Sequence, residues 1–175
     1  MGTLSLSQDR RGSAALELAI VLPLLLVMLV GGISVSQVIR ARMAVANAAE
    51  TMAELVATQT SVTGTSMSDL CTGAQLVLAP YTTSGLKISV ASVTNNVQTG
   101  TVGVDWQDTS CGGGSQIAAP ATDAASLVPN RGDSAIVVQA TYTYANPLNL
   151  VLPGQFTFTQ LAFDRPRDAT GVAHN

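Results

Sequence analysis

The chain of 175 residues is poor in the side chains that most catalytic and metal sites use. It has one histidine, two cysteines and 11% charged residues, whereas soluble domains average about 25% charged residues. The histidine, His174, is predicted to lie at the frayed end of the chain, which argues against His-based catalysis and most His-ligated metal sites. Two cysteines exclude a zinc site with four cysteine ligands from one chain.

Familiar catalytic motifs are absent from the sequence as well. No phosphate-binding glycine loop ends in Lys-Ser or Lys-Thr, and neither a Gly-x-Ser-x-Gly elbow nor an EF-hand loop occurs. Asp105 and Asp108 resemble a glycosidase pair, but we interpret them as a solvated strand end. The Arg-Gly-Asp tripeptide at 131–133 is short enough to occur by chance. We therefore predict that the chain is not an enzyme and has no catalytic residue, no metal site and no cofactor.

Positive charge is also scarce. Lys and Arg number 8 and Asp and Glu number 11, which gives a formal net charge of −3. Because nucleic-acid binding depends on clustered Lys and Arg, we predict no nucleic-acid partner.

Apolar residues are concentrated in one segment. Residues 18–39 form a run of 22 residues without a charge. As a helix of about 33 Å at 1.5 Å per residue, this run is long enough to cross a hydrocarbon core of about 30 Å. It predicts a membrane-spanning or signal-type helix. Arg10 and Arg11 on one side and Arg40 and Arg42 on the other leave its orientation undecided by charge.

A glutamate, Glu17, immediately precedes this apolar run. A carboxylate within a spanning helix costs roughly 2.5–3.5 kcal/mol, and less near the end of the span. Glu17 is therefore either an incidental interfacial residue or a group that requires a cationic partner in a membrane or a filament. A secretory signal cleaved near residues 44–46 and an uncleaved anchor are the rival interpretations of this N-terminus.

The residues around Glu17 resemble the leader junction of type IV prepilins. Gly12 is followed by Ser13-Ala-Ala-Leu-Glu17 and then by the apolar run. The resemblance implies that a prepilin peptidase cuts after Gly12 on the cytoplasmic face, so that Glu17 becomes the fifth residue of the mature chain. It also implies that the Glu17 carboxylate pairs with the new α-amino group of Ser13, or with that of a neighbouring subunit.

A longer stretch, Arg-Arg-Gly-Ser-Ala-Ala-Leu-Glu-Leu-Ala-Ile-Val-Leu-Pro from residue 10, resembles the TadE-like proteins of the tight-adherence (Flp) pilus system. Asn-Ala-Ala at 47–49 and the segments at 142–148 and 164–167 are also similar to this family. The resemblance implies a minor pseudopilin that initiates or primes assembly of a type IVb-like pilus. Its implied partners are other pilins and minor pseudopilins, the inner-membrane assembly platform, the prepilin peptidase and the lipid bilayer.

The family resemblance also implies a fold and a location. The fold is α+β and pilin-like, with a long N-terminal transmembrane and amphipathic helix packed on a small antiparallel β-sheet. The location is the bacterial inner membrane, crossed once, with the C-terminal domain in the periplasm or carried into an extracellular pilus. The alternative function is an uncleaved, membrane-anchored periplasmic binding or scaffold module.

These considerations divide the chain into four parts. Residues 1–12 are predicted to be a cytoplasmic leader peptide, 13–39 a transmembrane helix, 40–59 its amphipathic continuation and 60–175 a β-rich globular domain. One helix is expected from about residue 14 to about residue 59. Its apolar stripe, which packs on the chain's own domain or on another subunit, is Ile39, Met43, Ala46, Ala49, Ala53 and Val56.

Alternating apolar residues predict four strands, each with one apolar face, around 86–90, 102–106, 136–144 and 156–163. Asn95, Asn96 and Gly100 indicate a hairpin turn between the first two strands. Before the strands we expect a polar linker at 60–68 and a short helix at 69–78 with Ser68 as its N-cap. Residues 109–134 are predicted to be a loop, either mobile or a partner surface.

Cys71 and Cys111 both fall in the predicted extracytoplasmic part of the chain. A disulfide is the default there, and it would join the short helix to the loop at 109–134. Two free thiols or an intermolecular bond are the alternatives.

Overall fold

A single helix, α1, runs from Arg11 to Ala57. The computed structural model describes residues 11–147, 152–167 and 171–175, with side chains from residue 15 onward. Residues 1–10 of the predicted leader lie outside the described residues. The helix is rich in Ala and Leu, which are strong helix formers. Pro23 lies inside it without ending it, so the prediction of one helix from about 14 to about 59 is confirmed.

The two halves of α1 have different surroundings. Residues 15–29 are exposed all round, and burial of one face begins at Ser34. The predicted stripe is confirmed where Ala49, Ala53 and Val56 are buried, but it is wrong at the start, because Ile39 is 53% exposed and Met43 is 60% exposed. The helix has apolar residues on both sides at this level, so the period alone did not determine which side is covered. The fully buried residues at this level are Ala41 and Val45.

The segment after α1 is more ordered than the predicted linker. A two-residue strand, β1 (Ser61–Val62), is followed by helix α2 (Gly64–Val77). The N-cap of α2 is Thr63 rather than the expected Ser68. The Thr63 hydroxyl accepts a hydrogen bond from the Ser66 backbone N–H (3.2 Å), and the Ser66 hydroxyl accepts one from the Thr63 N–H (2.7 Å). This reciprocal capping box starts the helix five residues earlier than the sequence pattern predicted.

Four antiparallel strands form the main sheet, in the order β3-β2-β4-β5. A short 3₁₀ helix, Thr83–Gly85, leads into the first of them. The predicted hairpin between β2 and β3 is confirmed, because the Asn96 N–H donates to the Thr101 carbonyl (2.9 Å) and Gly100 has φ of +72°. The strands are β2 (Leu86–Asn95), β3 (Val102–Asp108), β4 (Ser134–Ala145) and β5 (Gln155–Asp164).

The main core lies between the sheet and the two helices α1 and α2. Its largest fully buried side chains come from all of these elements: Met52, Met67, Leu78, Leu86, Ile88 and Ile136. The expected α+β architecture, with a long helix on a small antiparallel sheet, is therefore confirmed.

A second, smaller core lies on the other face of the sheet. The segment at 109–134, predicted to be a loop, contains the short helix α3 (Pro120–Asp123) and packs on β2 and β4. The expectation of one apolar face per strand is therefore wrong for β2 and β4, because both of their faces are buried. The residues of this core include Ala91, Val93, Ile117, Ala124, Val128, Ala135 and Val137.

The C-terminal residues form a strand, β6 (Ala173–His174), that pairs in parallel with β1. Val62 lies opposite His174 in this ladder. The expectation that His174 lies at a frayed end is therefore wrong.

Candidate processing and assembly site

Gly12 and Ser13 lie in the first turns of α1. Glu17 follows Ser13 by four residues on the same helix and is exposed. Residues four apart on a helix lie on one face, so the backbone nitrogen of Ser13 and the side chain of Glu17 share a face of α1. The structure thus places all three predicted residues within about one and a half helical turns.

No described side chain forms an ion pair with the Glu17 carboxylate. Its neighbours Leu16 and Leu18 are exposed apolar residues. A carboxylate in such surroundings is stabilised in lipid only by a cation or by contact with the interface. Among the described residues no side chain provides this cation, so a cationic partner for Glu17 would have to come from elsewhere.

The exposed half of α1 is apolar over its whole circumference. Exposed large apolar side chains continue from Leu16 to Leu29, with further ones at Ile33 and Val35. By length and composition this helix is a candidate membrane span, the one candidate among the described residues. A helix that is apolar all round requires an apolar environment, either lipid or other helices.

Charged residues on α1 are ordered along its axis. Arg40 and Arg42 are the first charges after the apolar run, and Glu50 and Glu54 follow further along; all four are exposed. The apolar half, the basic residues and the acidic residues thus succeed one another from the N-terminal end of the helix.

The predicted disulfide between Cys71 and Cys111 is present, with a Cα–Cα distance of 5.7 Å. It joins α2 to the segment at 109–134, which covers the face of the sheet opposite the helices. The Cys111 carbonyl also accepts a hydrogen bond from the Ile88 N–H (2.9 Å). Gly112 has φ of +74°, and a Cβ there would collide with the Leu86 carbonyl oxygen, so glycine is required next to the cysteine. Closing a loop of 40 residues stabilises the fold by roughly 4 kcal/mol in the chain-entropy model.

The two aspartates that flank Trp106 have structural hydrogen-bond partners. The Asp105 carboxylate accepts hydrogen bonds from the hydroxyls of Ser92 (3.2 Å) and Thr94 (2.6 Å). These bonds hold Asp105 against the neighbouring strand β2. The predicted strand end is wrong for Asp105, which lies in the middle of β3, and confirmed for Asp108, the last residue of that strand.

Asp108 anchors the C-terminal strand. It accepts hydrogen bonds from the hydroxyl and N–H of Ser110 and lies 3.1 Å from His174 Nε2. Partial burial raises the pKa of Asp108, but the hydrogen bonds from Ser110 and His174 and the charge of His174 outweigh burial, so the pKa of Asp108 lies below that of an ordinary aspartate. Trp106 adds a hydrogen bond from Nε1 to the Val172 carbonyl (2.7 Å) and a ring contact with His174.

The aspartate of the Arg-Gly-Asp tripeptide is engaged within the chain. Asp133 forms an ion pair with Arg165 (2.8 Å) and accepts hydrogen bonds from the N–H and side-chain amide of Asn130. The Asn130 backbone hydrogen bond lowers the pKa of Asp133 most strongly, and Arg165 lowers it further. The ion pair with Arg165 joins residues 32 positions apart, and no local pattern predicted it.

Comparison with known protein families finds a match to the N-terminal part of the chain. The model of the TadE-like protein family matches residues 12–54, which are 43 of the 175 residues. No curated protein and no solved structure matches the chain. The family match begins at Gly12, covers the exposed half of α1 and continues to Glu54 on its packed half. Over residues 12–54 the chain is therefore similar to the TadE-like family.

Proposed function

We propose that this chain is a minor pseudopilin that initiates or primes a tight-adherence pilus. The observation that carries the proposal is the match of the TadE-like family to residues 12–54. The matched residues begin at the proposed cleavage site and include the apolar helix that requires lipid or other helices around it. The chain would contribute to assembly through contacts and would catalyse no reaction.

In this proposal α1 is inserted in the inner membrane and a prepilin peptidase cuts after Gly12. Cleavage creates a positively charged α-amino group on Ser13, about one helical turn from the Glu17 carboxylate. That amine, or the corresponding amine of a neighbouring subunit, would neutralise Glu17 and so offset the cost of placing a carboxylate in an apolar environment. The remaining pilins would surround the exposed apolar face of α1.

We also propose that residues 60–175 lie in the periplasm. The disulfide between Cys71 and Cys111 supports this orientation, because disulfides persist in oxidising compartments and are rare in the cytosol. Residues 1–12 would then be the cytoplasmic leader, 13–39 the span and 40–59 the periplasmic end of the helix. The partners would be other pilins and minor pseudopilins, the assembly platform and the prepilin peptidase.

The N-terminus of the protein isolated from host membranes tests the proposal directly. Intact mass and peptide sequencing are expected to give a chain that begins at Ser13 in cells with the peptidase and at Met1 in cells without it. Replacement of Gly12 by a bulky residue is expected to give the longer chain in both. A chain that begins at Met1 in peptidase-containing cells would contradict processing and would favour an uncleaved, membrane-anchored binding or scaffold module.

A further inference from the structure

One end of the globular domain carries an apolar surface beside the apolar run of α1. A groove of about 340 Å³ separates α1 from the residues that follow α2, and Arg40, Met43, Val77 and Tyr81 contribute to its lining. Val77 is 37% exposed, and Leu76, which precedes it near the end of α2, is 73% exposed. We call Met43, Leu76, Val77 and Tyr81 the proximal patch.

Helix α2 brings the proximal patch toward the apolar run because it runs back along α1. Near the middle of α2, a Cβ on Gly73 would lie 3.5 Å from the side chain of Leu55. At its end, Val77 lines the same groove as Met43, twelve residues earlier on α1 than Leu55. The direction of α2 therefore returns the chain to the N-terminal end of the packed half of α1.

Two tyrosines connect this end of the domain to the apolar run itself. The Tyr144 hydroxyl donates to the Gln37 side-chain oxygen (3.2 Å), and Gln37 lies within the charge-free residues 18–39. The rings of Tyr81 and Tyr144 meet edge to face with centroids 5.7 Å apart. The proximal patch is therefore held at a defined level relative to the apolar run.

That level corresponds to the headgroup layer of a bilayer. Met43 lies four residues beyond Ile39, a rise of about 6 Å. The headgroup layer adds about 5–7 Å to each side of the hydrocarbon core. If residues 18–39 fill the hydrocarbon core, the proximal patch lies where lipid headgroups begin, a depth at which tyrosine side chains are enriched.

The charges at this level match phospholipid phosphates. Arg40 and Arg42 are exposed next to the apolar run, and no Asp or Glu occurs between Glu17 and Glu50. Glu50 lies ten residues beyond Arg40, a rise of about 15 Å, so the carboxylates of α1 begin well beyond the headgroup layer. Arginine is well suited to bind phosphate groups.

We propose that the proximal patch rests on the membrane surface, with its apolar side chains among the lipid headgroups and Arg40 and Arg42 on lipid phosphates. The inference rests on the proposed membrane insertion of α1. Continuity favours lipid over a protein partner, because Val35, Ile39 and Met43 form an uninterrupted series of exposed apolar residues leading from the apolar run to the patch. The lipid that covers Val35 is therefore expected to cover Met43 as well.

A tryptophan placed in the patch tests this contact. The full chain with Leu76→Trp is reconstituted into vesicles of phosphatidylcholine and phosphatidylglycerol, with part of the phosphatidylcholine brominated near the top of its acyl chains. The matched control is Val97→Trp, because Val97 is 66% exposed in the β2–β3 turn at the opposite end of the sheet. The native tryptophan, Trp106, lies opposite Ser92 in the β2–β3 ladder and contributes the same background emission to both chains.

We expect brominated lipid to reduce the emission of the Leu76→Trp chain and to leave the Val97→Trp chain near its background. Equal quenching of the two chains would overturn the inference. So would a Leu76→Trp signal that changes with protein-to-lipid ratio and not with bromination, because that result assigns the patch to a protein partner. Flotation of the same vesicles separates this test from membrane insertion: a chain that fails to float contradicts the anchoring, whereas a floating chain without quenching contradicts only the patch.

The two arginines are tested in the same tryptophan background. Arg40→Glu with Arg42→Glu is expected to reduce quenching more in vesicles that contain phosphatidylglycerol than in vesicles of phosphatidylcholine alone, because the reversed charges repel anionic headgroups. Arg131→Glu, in the loop that precedes β4, is the matched charge reversal. An equal loss for both sites would contradict the contact of Arg40 and Arg42 with phosphates.

Discussion

At the scale of single residues, Glu17 carries the clearest functional prediction. We expect Glu17→Ala to abolish or strongly reduce pili, because the terminal amine of a neighbouring subunit or of the chain itself would lose its counter-ion in an apolar environment. Electron microscopy and the sheared-pilus fraction of the host provide the measurement. The matched control is Glu50→Ala, since Glu50 is also exposed on α1 but lies outside the apolar run.

Normal piliation in the Glu17→Ala strain would contradict the assembly mechanism. A loss of pili in both strains would contradict a special role of Glu17, because the control position Glu50 would then matter equally. Membrane levels of the two variants are compared by immunoblotting, which distinguishes an assembly defect from loss of the protein.

Gly112 carries a structural prediction at the same scale. Gly112→Ala is expected to destabilise the fold by more than about 1–2 kcal/mol, the cost of a left-handed non-glycine residue, because its Cβ also collides with the Leu86 carbonyl. Gly113 is the matched control: its φ is +66° and no atom lies within 4 Å of its added Cβ. Denaturation of the globular domain in the full chain, followed by Trp106 fluorescence, should give a larger loss for Gly112→Ala. Equal losses would contradict the collision.

Residue-scale prediction succeeded where chemistry or a motif was local. The pairing of Cys71 with Cys111 followed from their number and expected compartment and is confirmed, whereas the roles of Gly12 and Glu17, inferred from a contiguous motif, stay predictions. The contacts of His174 with Asp108 and of Arg165 with Asp133 join residues 66 and 32 positions apart. Such contacts depend on the tertiary fold, and the spacing of residues in one sequence carries no signal for them.

At the scale of elements, the N-cap of α2 is Thr63 in the structure, whereas the sequence pattern predicted Ser68. Thr63→Ala is expected to destabilise the globular domain by about 1 kcal/mol, because it removes the side chain that caps the Ser66 N–H. Ser68→Ala, at the N-cap predicted from the sequence, is expected to change stability by less than about 0.5 kcal/mol, because Ser68 is an exposed residue inside the helix. Urea unfolding of both variants is the measurement, and a larger effect at Ser68 would contradict the observed cap.

Element types were predictable because the apolar period changes from helical to alternating near Leu86. The covering of both faces of β2 and β4 was not predicted, although β4 contains Ala-Ile-Val-Val at 135–138, a continuous apolar run typical of a strand buried on both sides. The partner of that second face is the glycine- and proline-containing segment at 109–134. Its few apolar residues are spaced without a regular period, so the sequence indicated a loop there.

At the scale of the whole molecule, the described part of the chain combines an exposed apolar helix with a globular domain that is closed by its own C-terminal residues. Parallel pairing of β1 with β6 joins the segment after α1 to the end of the chain. The Arg167 N–H also donates to the Ala57 carbonyl, at the last residue of α1 (3.3 Å). The globular domain thus fixes the C-terminal end of α1 and leaves its N-terminal half available for a membrane or for other subunits.

This closure predicts how the molecule responds to acid. The pKa values of Asp108 and Asp133 are lowered in the folded state, so their stabilising contribution is complete above the pKa of an unfolded carboxyl, about 3.9, and is lost as the pH falls through the lower folded values. We expect the thermal midpoint of the full chain to fall as the pH drops below about 4. Asp108→Asn should lower the midpoint near neutral pH and reduce this acid dependence to the part contributed by Asp133, because the variant has no carboxylate to protonate at position 108. Asp123→Asn, at an exposed position, is the matched control. If the thermal midpoint of Asp108→Asn changed with pH in parallel with that of the wild type, the role of this carboxylate in holding β6 against β3 would be contradicted.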